Sequence, residues 1–528
     1  MFPIPPLLRE GPAAVPRLRR PAVILPVVAL LLVGGAVAVP ALTGGDAELT
    51  GLPDRPLNAE GLAGAVVSTP ARDGARLLVD GKPVGAAEGG TLRAPLAGLA
   101  DGSHTVAVET AGAFGRTSRT ERTVTVDSTP PQLSITPVEP VGIRDKVTVV
   151  GSAPDAVHVA TASGRDVEVG KDGAFRLPFD TPPAGERLVA LDAAGNRTDV
   201  PLDVPVSHPG MRAVHMTALA WTAKSLREPI LDLAREGRID TIQLDIKDES
   251  GEIGFESTNP LAKKIGAVKG YYDAPAVIKE LHDMKLRVVG RVVAFRDPIL
   301  APWAYEHGRK DMVTQAPDGS PYQGAYGGFT NFANADVRRY NIDLAAEAAK
   351  LGFDDVLYDY CRRPDGKLST MKFPGLKETP EQSVAGFMAE SRAALRPLGA
   401  YVGASVFGIA ADRPTQIAQD IPAMGKYLDY VAPMVYPSHW AKGEYGVADP
   451  NHQPGAIVER SLKVFQEDLK GTQTKVMPWL QDFSLGATYG PAQVRAQIDA
   501  AAKIGVDSFL LWNAGARYQT GALEPHKA

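Results

Sequence analysis

Two hydrophobic periodicities divide this chain. From about residue 52 to 207, short runs of alternating apolar and polar residues are separated by Gly, Pro and Asp. The run ARLLVDGKPVG at 75–85, for example, has the pattern of a strand, an Asp-Gly turn and a second strand. From residue 208 onward, strand-like runs alternate with longer segments of helical periodicity. The pattern therefore predicts all-β modules followed by an α/β domain.

The β-rich part predicts two sandwiches. Its strand-like runs recur about every ten residues with turn residues between them, which is typical of sandwich domains. The Pro-broken segment VDSTPPQL at 126–133 divides this part into modules at 52–129 and 130–207. The phrases DSTPP and DAAGN resemble those of bacterial immunoglobulin-like modules. Neither module gathers a catalytic set of residues, so we expect spacers or adhesive modules.

The C-terminal part, residues 208–520, predicts a (β/α)8 TIM-type barrel, an α/β fold of eight strand–helix units. An open doubly wound sheet is the alternative, but no Gly-rich phosphate loop follows the first strand. The strand candidates are AVHMTAL (213–219), TIQLDIKD (241–248), LRVVGRVVAF (286–295), DVLYDYC (355–361), YVGASVFG (401–408), YVAPMVYP (430–437), KVMPWLQDF (475–483) and SFLLWNA (508–514). The helical candidates are 225–237, 274–285, 335–352, 383–399, 455–471 and 491–505.

The N-terminus predicts a membrane anchor or an export signal. A short basic segment, 1–20, ends in RLRR and is followed by residues 21–45, which carry no charge. About 20 apolar residues suffice to cross a bilayer, and the arginines would keep their end cytoplasmic. The small residues of AVAVPA also fit a cleaved signal peptide. We therefore expect either a single-pass cell-membrane protein with its C-terminal domains extracytoplasmic, or a secreted one.

Composition excludes several functional classes. The chain has 528 residues, a net charge of −5 and a pI near 6.0, so no nucleic-acid partner is indicated. Its single cysteine, Cys361, allows no intrachain disulfide. The histidines show no HxH or HExxH spacing, and there is no GxSxG nucleophile motif. We expect no metal and no cofactor.

The strand TIQLDIKD predicts where the chemistry lies. Its polar residues Gln243, Asp245 and Lys247 alternate with apolar ones, and Asp248 and Glu249 extend the strand end. In a parallel barrel the functional side chains gather at the C-terminal rim. We therefore expect the polar set to point toward the barrel axis and the apolar set to lie beneath the helices.

The other strand ends carry further acids, hydrogen-bond donors and aromatic rings. Indole faces stack on the C–H faces of sugars, and sugar hydroxyls need charged hydrogen-bond partners. This combination predicts a carbohydrate substrate. Besides the acids, the expected substrate-binding residues are Lys247, Arg291, Tyr360, Arg362, Tyr436, His439, Trp440, Trp479, Gln481, Trp512 and Asn513.

Glycosidic bond cleavage needs one protonated and one ionised carboxyl group. We expect Asp359 to be the ionised partner, as a nucleophile or base, with Lys247 and Arg291 stabilising its charge. The sequence does not choose among the candidates for the acid, which are Asp245, Asp248, Glu249 and Asp482.

Each acid also has a structural interpretation. Asp248 and Glu249 could form a solvated turn or a helix cap. Asp245 could form an ion pair with Lys247 inside the barrel, and Asp482 could be a charge at the rim.

Several of these segments together resemble a glycosyl hydrolase barrel family catalogued as a domain of unknown function. They are LDIKDESGEIGFES, GRVVAFRDP, YNIDLAAEAAKLGFDDVLYDYCRRP, SVFG, APMVYPSHW, MPWLQDF and LLWNA, and the resemblance spans about 210–515. It implies a TIM-type barrel in exported or membrane-anchored bacterial proteins. The family's D-x-K-D-E phrase falls on 245–249, and its strand-4 acid falls on Asp359. Where the family usually has a DYxRFP-like phrase, this chain has Cys361 and Arg363.

The leading hypothesis is a glycosidase that acts on an extracellular or cell-wall polysaccharide, tethered to the membrane by its N-terminal helix. One alternative is a non-catalytic glycan-binding or cell-wall-binding protein built on a degenerate barrel. Another is a polysaccharide-modifying enzyme that does not hydrolyse the bond, such as a lyase or a transglycosylase.

Overall fold

The computed structural model describes residues 48–71, 74–111 and 117–525. The predicted basic segment 1–20 and the anchor or signal 21–45 lie outside these ranges. Among the described residues, no helix combines the length and the apolar character needed to span a bilayer. The described residues form two compact units, one from 48–52, 65–96 and 104–123, the other from 53–64, 97–103 and 124–525.

The first β-rich region contains two antiparallel sheets, ordered β1-β5-β4 and β3-β2-β6-β7 in the numbering below. Asp80 and Gly81 join β2 to β3 with φ of 50° and 75°, the two-residue hairpin that the Asp-Gly pair predicts. The elements are α1 (Ala59–Gly64), β1 (Val66–Pro70), β2 (Arg76–Val79), β3 (Lys82–Val84), β4 (Ala86–Glu88), β5 (Thr91–Pro95), β6 (Gly102–Ala111) and β7 (Thr117–Val126).

The second β-rich region also contains two antiparallel sheets, ordered β11-β9-β8 and β10-β12-β13. Val149, Phe175, Leu177, Leu188 and Ala190 form its core. Its strands are β8 (Ser134–Ile135), β9 (Val147–Ser152), β10 (His158–Thr161), β11 (Ala174–Phe179), β12 (Glu186–Leu191) and β13 (Arg197–Leu202). The immunoglobulin-like assignment and the module boundaries stay predictions.

The remaining strands close into an eight-stranded parallel barrel, and all eight predicted strands are confirmed. The strands are β14 (Arg212–Met216), β15 (Thr241–Lys247), β16 (Ile253–Phe255), β17 (Val268–Tyr272), β18 (Arg287–Val293), β19 (Asp355–Asp359), β20 (Tyr401–Phe407), β21 (Tyr430–Met434), β22 (Lys475–Val476), β23 (Trp479–Gln481) and β24 (Phe509–Trp512). The seventh barrel strand is split into β22 and β23. Around the barrel the order is β15-β14-β24-β23-β21-β20-β19-β18, and β18 pairs again with β15. The short strands β16 and β17 extend from the edge of β15.

Helices follow the barrel strands, and each of the six predicted helices is present. Asn334 and Thr379 cap two of them through their side chains, and Gly352 ends one in the left-handed conformation. The helices are α2 (Ala218–Thr222), α3 (Lys224–Arg235), α4 (Pro260–Lys264), α5 (Ala274–Asp283), α6 (Leu300–Glu306), α7 (Ala335–Leu351), α8 (Pro380–Leu395), α9 (Ile421–Gly425), α10 (Pro454–Asp468) and α11 (Pro491–Ala502).

Two hydrophobic cores lie on either side of the barrel wall. Ile242, Leu244 and Ile246 of β15 pack outward against the helices, as the alternation predicts. Val289, Leu357, Tyr430, Met477 and Leu510 are among the inward residues that fill the barrel. Because this packing closes the barrel axis, the inward side chains nearest the C-terminal ends of the strands form the floor of the rim.

Candidate active site

A cavity of about 500 Å³ opens at the C-terminal mouth of the barrel. Its size is in the range of small-ligand sites. The lining residues come from seven of the eight strands or the loops after them. They are Glu249, Arg291, Asp359, Tyr360, Phe407, Met434, Tyr436, His439, Trp479, Phe483, Trp512, Asn513, Ala514 and Gly515.

Arg291 is the centre of the site. It points inward from β18 and is only 1% exposed. Its Nε and Nη2 donate to Asp359 Oδ2 at 2.9 and 2.7 Å, and its Nη1 donates to Asp245 Oδ1 at 3.1 Å. Nη2 also donates to Glu249 Oε1. One guanidinium therefore holds three carboxylates together, and the charges of these carboxylates outweigh burial and raise its pKa well above the ordinary value.

Asp359 is the last residue of β19 and faces the cavity. While Oδ2 accepts from Arg291, Oδ1 accepts the backbone N–H of Tyr360 at 2.7 Å. Tyr360 has a φ of 48°, in the left-handed region that non-glycine residues rarely occupy. The chain thus turns sharply after the strand and fixes the carboxylate in one orientation.

Glu249 reaches the same cavity from the loop after β15. Its side chain is 33% exposed, so it is the most accessible of the three carboxylates. Burial opposes its ionisation, but the charge and the hydrogen bond of Arg291 outweigh burial and lower its pKa. Arg296 Nη1 donates to the carbonyl oxygen of Glu249 at 2.8 Å, which holds this loop in place.

Asp245 lies beneath the cavity and does not line it. His215 of β14 places Nε2 at 3.2 and 3.1 Å from its two carboxylate oxygens. Burial opposes ionisation of Asp245, but the charges of His215 and Arg291 outweigh it and lower its pKa to about 2. Asp245 therefore positions Arg291 from below, so its predicted role as the acid is not supported.

Aromatic rings form the rest of the cavity. Trp479 and Trp512 lie perpendicular, with ring centroids 5.6 Å apart, and Trp479 Nε1 donates to Ser405 Oγ at 2.9 Å. The rings of Tyr436 and His439 are tilted by 50°, with centroids 5.3 Å apart. Carboxylates beside flat aromatic faces are the combination that carbohydrate recognition needs.

Two predicted acids lie away from the cavity. Asp248 Oδ1 accepts the backbone N–H groups of Ser250 and Glu252 at 2.9 and 3.1 Å, so it forms a turn. Asp482 Oδ2 accepts the backbone N–H of Gln519 at 2.9 Å. Burial raises the pKa of each to about 6, a value suited to an acid, but neither side chain lines the cavity. Their role as the acid stays a prediction.

The prediction that Lys247 points toward the barrel axis is wrong. Asp245 pairs with Arg291 across the sheet, but Lys247 pairs with Val292, so β15 contains one extra residue there. Such a bulge shifts the alternation and turns the next side chain through the wall. Lys247 is fully buried outside the barrel, where Nζ donates to Asp297 Oδ2 at 2.9 Å.

Three predicted substrate-binding residues are buried behind the cavity wall, namely Arg362, Gln481 and Trp440. The guanidinium of Arg362 lies 4.3 Å from the ring centroid of Phe407 and supports that ring from behind. Gln481 Oε1 accepts the backbone N–H of Ser438 at 3.0 Å and anchors a rim loop. Trp440 packs in a separate cluster under the rim. These side chains shape the site without lining it.

The sequence analysis missed His215 and the apolar lining residues Phe407, Met434 and Phe483. The signal for His215 was available, because in AVHM it shares a strand face with Ala213, which lies in the barrel interior. In the sequence, these three apolar residues cannot be distinguished from residues of the hydrophobic core.

The part of the chain that the structure describes contains neither a candidate metal site nor a reactive thiol. Residues 48–71, 74–111 and 117–525 contain no group of three or more His, Cys, Asp or Glu side chains suited to a metal ion. Cys361 is fully buried, and burial raises its pKa to about 12. A buried thiol of this kind is unreactive.

Comparison with solved structures finds distant relatives. A hypothetical protein from Ruminiclostridium thermocellum is 29% identical and covers 36% of this chain and 96% of its own, with a TM-score of 0.33. The PgaB (BpsB) glycoside hydrolase domain from Bordetella bronchiseptica is 14% identical over 58% of this chain and 95% of its own, with a TM-score of 0.45. An α-galactosidase from Thermus thermophilus is 13% identical over 91% and 92%, with a TM-score of 0.38.

A search of curated proteins finds no match to the chain. A match does come from the domain family described as "Putative glycosyl hydrolase domain", which covers residues 213–518. This match spans more than half of the chain and contains the whole mouth of the barrel, including Glu249, Arg291 and Asp359. The chain therefore belongs to this glycosyl hydrolase domain family, and its barrel is a glycosidase-like domain.

Proposed function

We propose that this protein hydrolyses glycosidic bonds of an extracytoplasmic polysaccharide, with Asp359 as the nucleophile and Glu249 as the general acid and base. One observation carries the proposal. Asp359 Oδ2 and Glu249 Oε1 both accept a hydrogen bond from Nη2 of Arg291, and both side chains line one cavity. Of the four acids that the sequence offers as the proton donor, Glu249 alone lies beside Asp359 in that cavity.

The separation of the two carboxyl groups favours retention of configuration. Two oxygens that contact the same nitrogen lie within about 5 Å of each other. Retaining glycosidases place their carboxyl groups about 5–5.5 Å apart, whereas inverting enzymes need about 6.5–9.5 Å to admit a water molecule. The shared nitrogen of Arg291 therefore supports a two-step mechanism.

In the first step, Asp359 attacks the anomeric carbon and Glu249 donates its proton to the leaving oxygen. The bond to the leaving sugar breaks as the bond to Asp359 forms. In the second step, Glu249 takes a proton from water, and the water oxygen displaces Asp359 from the anomeric carbon. Glu249 is then protonated again and Asp359 is again a carboxylate, so the cycle closes.

The substrate class follows from the cavity walls and the N-terminus. Trp479, Trp512 and Tyr436 line the cavity beside the carboxylates, and such aromatic walls support binding of sugar rings. The uncharged run at 21–45 after a basic segment supports export through a signal or a single-pass anchor. Together these features support a polysaccharide outside the cytoplasm as the substrate.

One observation favours a second candidate function, a non-catalytic glycan-binding barrel. Burial raises the pKa of Glu249, but the charge of Arg291 outweighs burial and lowers it. A carboxylate that is ionised near neutral pH cannot donate the proton that the leaving group needs. The two candidates differ in turnover and agree in glycan binding.

The test is to incubate the full chain with a panel of cell-wall polysaccharides and exopolysaccharides between pH 4 and pH 7. We expect the release of reducing ends, and proton NMR of the first products should show retention of the anomeric configuration. Binding without any released ends would establish the second candidate. Products with unsaturated sugar ends would instead indicate a lyase.

A further inference from the structure

A second cavity lies beside the catalytic one. It has a volume of about 520 Å³ and is formed by α6 and by the loops that follow β18. Its wall is unusually rich in flat rings, with Tyr305, Tyr322, Tyr326 and Phe329 among the lining residues, together with several prolines and Arg296. Nothing in the proposed catalytic steps uses this cavity.

The two cavities share a wall. Phe329 of the second cavity lies 6.3 Å, centroid to centroid, from Tyr360, which lines the catalytic cavity. The guanidinium carbon of Arg296 lies 5.6 Å from the ring centroid of Tyr360 and 5.4 Å from that of Tyr326. Arg296 also holds the backbone of Glu249. A chain that leaves the catalytic cavity over this wall enters the second cavity directly.

Arg296 has no carboxylate partner in the described part of the chain. Among the residues that the structure describes, no carboxylate forms an ion pair with it, and its buried Nε–H has no acceptor. A guanidinium without a carboxylate partner is uncommon in a partly buried position and offers charge-assisted hydrogen bonds to hydroxyl or acidic groups. Arg296 lies between two tyrosine rings. A sugar that stacks on these rings can also accept hydrogen bonds from the guanidinium through its hydroxyl groups.

Tyr326 presents a partly exposed ring on the loop that ends at Gly328. The side chain is 42% exposed, and its ring lies against the guanidinium of Arg296. The loop is held because the N–H of Asp297 donates to the carbonyl of Gly328 at 2.6 Å. Gly328 has a φ of 81°, and a Cβ there would lie 2.8 Å from Cα of Pro298. The exposed ring is therefore positioned by the backbone behind it.

We propose that this second cavity is a distal subsite that binds further sugar units of the glycan held in the catalytic cavity. The protein then recognises chains of several units and cleaves within them, since a chain must cross both cavities to gain the full binding energy. This inference rests on the proposed function of the catalytic cavity. A distal aromatic subsite adds binding for long chains and nothing for short ones.

The test measures binding without turnover, in the full-length Asp359→Asn protein, by isothermal titration calorimetry. The probes are cellohexaose, chitohexaose, maltohexaose and hexagalacturonate, each with its corresponding dimer. We expect at least one hexamer to bind about tenfold or more tightly than its dimer. Tyr326→Ala should remove that advantage, and Tyr326→Phe should keep it because the flat face remains.

The matched control is Leu485→Ala. Leu485 is 53% exposed in the loop after β23 and lines neither cavity, so its truncation removes a similar exposed apolar surface elsewhere at the rim. It should leave the hexamer-to-dimer ratio unchanged. Equal binding of hexamer and dimer, a ratio unaffected by Tyr326→Ala, or no binding by any hexamer overturns the subsite. Each of these results is independent of whether the wild-type protein releases reducing ends, which decides the proposed function.

Discussion

The two ends of the barrel carry the same pair of residues on the same two strands. Arg287 and Asp355 lie at the N-terminal ends of β18 and β19, and Arg291 and Asp359 lie four residues later. A spacing of four keeps each pair on one face of its strand, toward the barrel interior. The chemical components are therefore alike at both ends, and only their surroundings differ.

At the N-terminal end the charges are fully paired. Asp355 is completely buried, accepts from Arg287 Nη1 at 2.8 Å and lies 2.7 Å from Nε2 of His208. Burial opposes ionisation, but the charges of His208 and Arg287 outweigh it and lower the pKa of Asp355. The ring of His208 packs against Tyr401, with the two ring centroids 4.5 Å apart. One carboxylate held by an arginine and a histidine makes a structural anchor.

At the C-terminal end there are more carboxylates than partners. Arg291 donates to three carboxylates, and two of them reach a cavity. The excess of negative groups leaves Glu249 partly exposed and free to exchange its partner. The comparison shows that a buried Arg–Asp pair is not by itself a sign of catalysis. We expect the functional end to be marked instead by an excess of carboxylates that share one cation.

The largest expected effect is that of Asp359→Asn. The substitution keeps the shape of the side chain but removes the nucleophilic oxygen, so kcat should fall by about 10⁴-fold or more. Reducing-end assays measure the loss, and glycan binding by calorimetry should change little. Turnover by this variant near the wild-type rate would remove Asp359 from the mechanism.

The next effect is that of Glu249→Gln. Loss of the acid should lower kcat by about 10²–10⁴-fold on a natural glycan. A dinitrophenyl glycoside of the same sugar needs no proton on its leaving group, so its first step should be much less affected. An equal loss on both substrates would contradict the role of Glu249 as the acid.

The matched change at the other end is Asp355→Asn. It leaves the buried His208 and the partly buried Arg287 without their carboxylate, so the free energy of unfolding should fall by about 3 kcal/mol. Denaturation followed by circular dichroism measures this loss, and kcat of the folded protein should stay at the wild-type value. If kcat fell while stability was unchanged, the distinction between the two ends would be wrong.

Acid should weaken the C-terminal network. Asp245 has a pKa of about 2 in the folded chain, below the ordinary value of 3.8, so the folded state favours its charged form. Its contribution of about 2 kcal/mol is present above pH 4 and is lost as the pH falls toward 2. Unfolding measured between pH 5 and pH 2 should show this loss, and Asp245→Asn should reduce the slope.

The last expected effect needs no substitution and is a pH dependence of kcat/KM. Arg291 lowers the pKa of Glu249 below its ordinary 4.5, although burial opposes this. The protonated fraction then falls about tenfold for each pH unit above that pKa, so kcat/KM on a polysaccharide should fall with rising pH. Glu249→Gln should lack this limb. A rate that stays constant up to neutral pH in the wild-type protein would place the acid elsewhere.

Much of the barrel could be predicted because each signal is local. The alternation in β15 and β19 places Asp245 and Asp359 inward, as expected from the sequence. Trp479 and Trp512 also follow the alternation of their strands into the cavity. Phe407 did not stand out, because an apolar residue at a rim has the same sequence signal as one in the core.

The choice among the acids could not be predicted. Asp248, Glu249 and Asp482 all follow strand ends, and the sequence treats them alike. Asp248 bends back onto its own turn and Asp482 binds the backbone of Gln519, whereas Glu249 reaches Arg291 on the next strand. The distances between separate loops decide this difference, and no local pattern encodes them.

The sequence by itself determined the eight strand–helix units, the faces that most strand residues occupy and the concentration of acids and indoles at the strand ends. These properties depend on the backbone repeat of each segment, because that repeat determines which face of a helix or strand each residue occupies. Only the tertiary structure decided that Lys247 leaves the barrel and that Glu249 lies beside Asp359. Each of these depends on a bulge, a register or a hydrogen bond with another strand, and such pairings exist only once the barrel has closed.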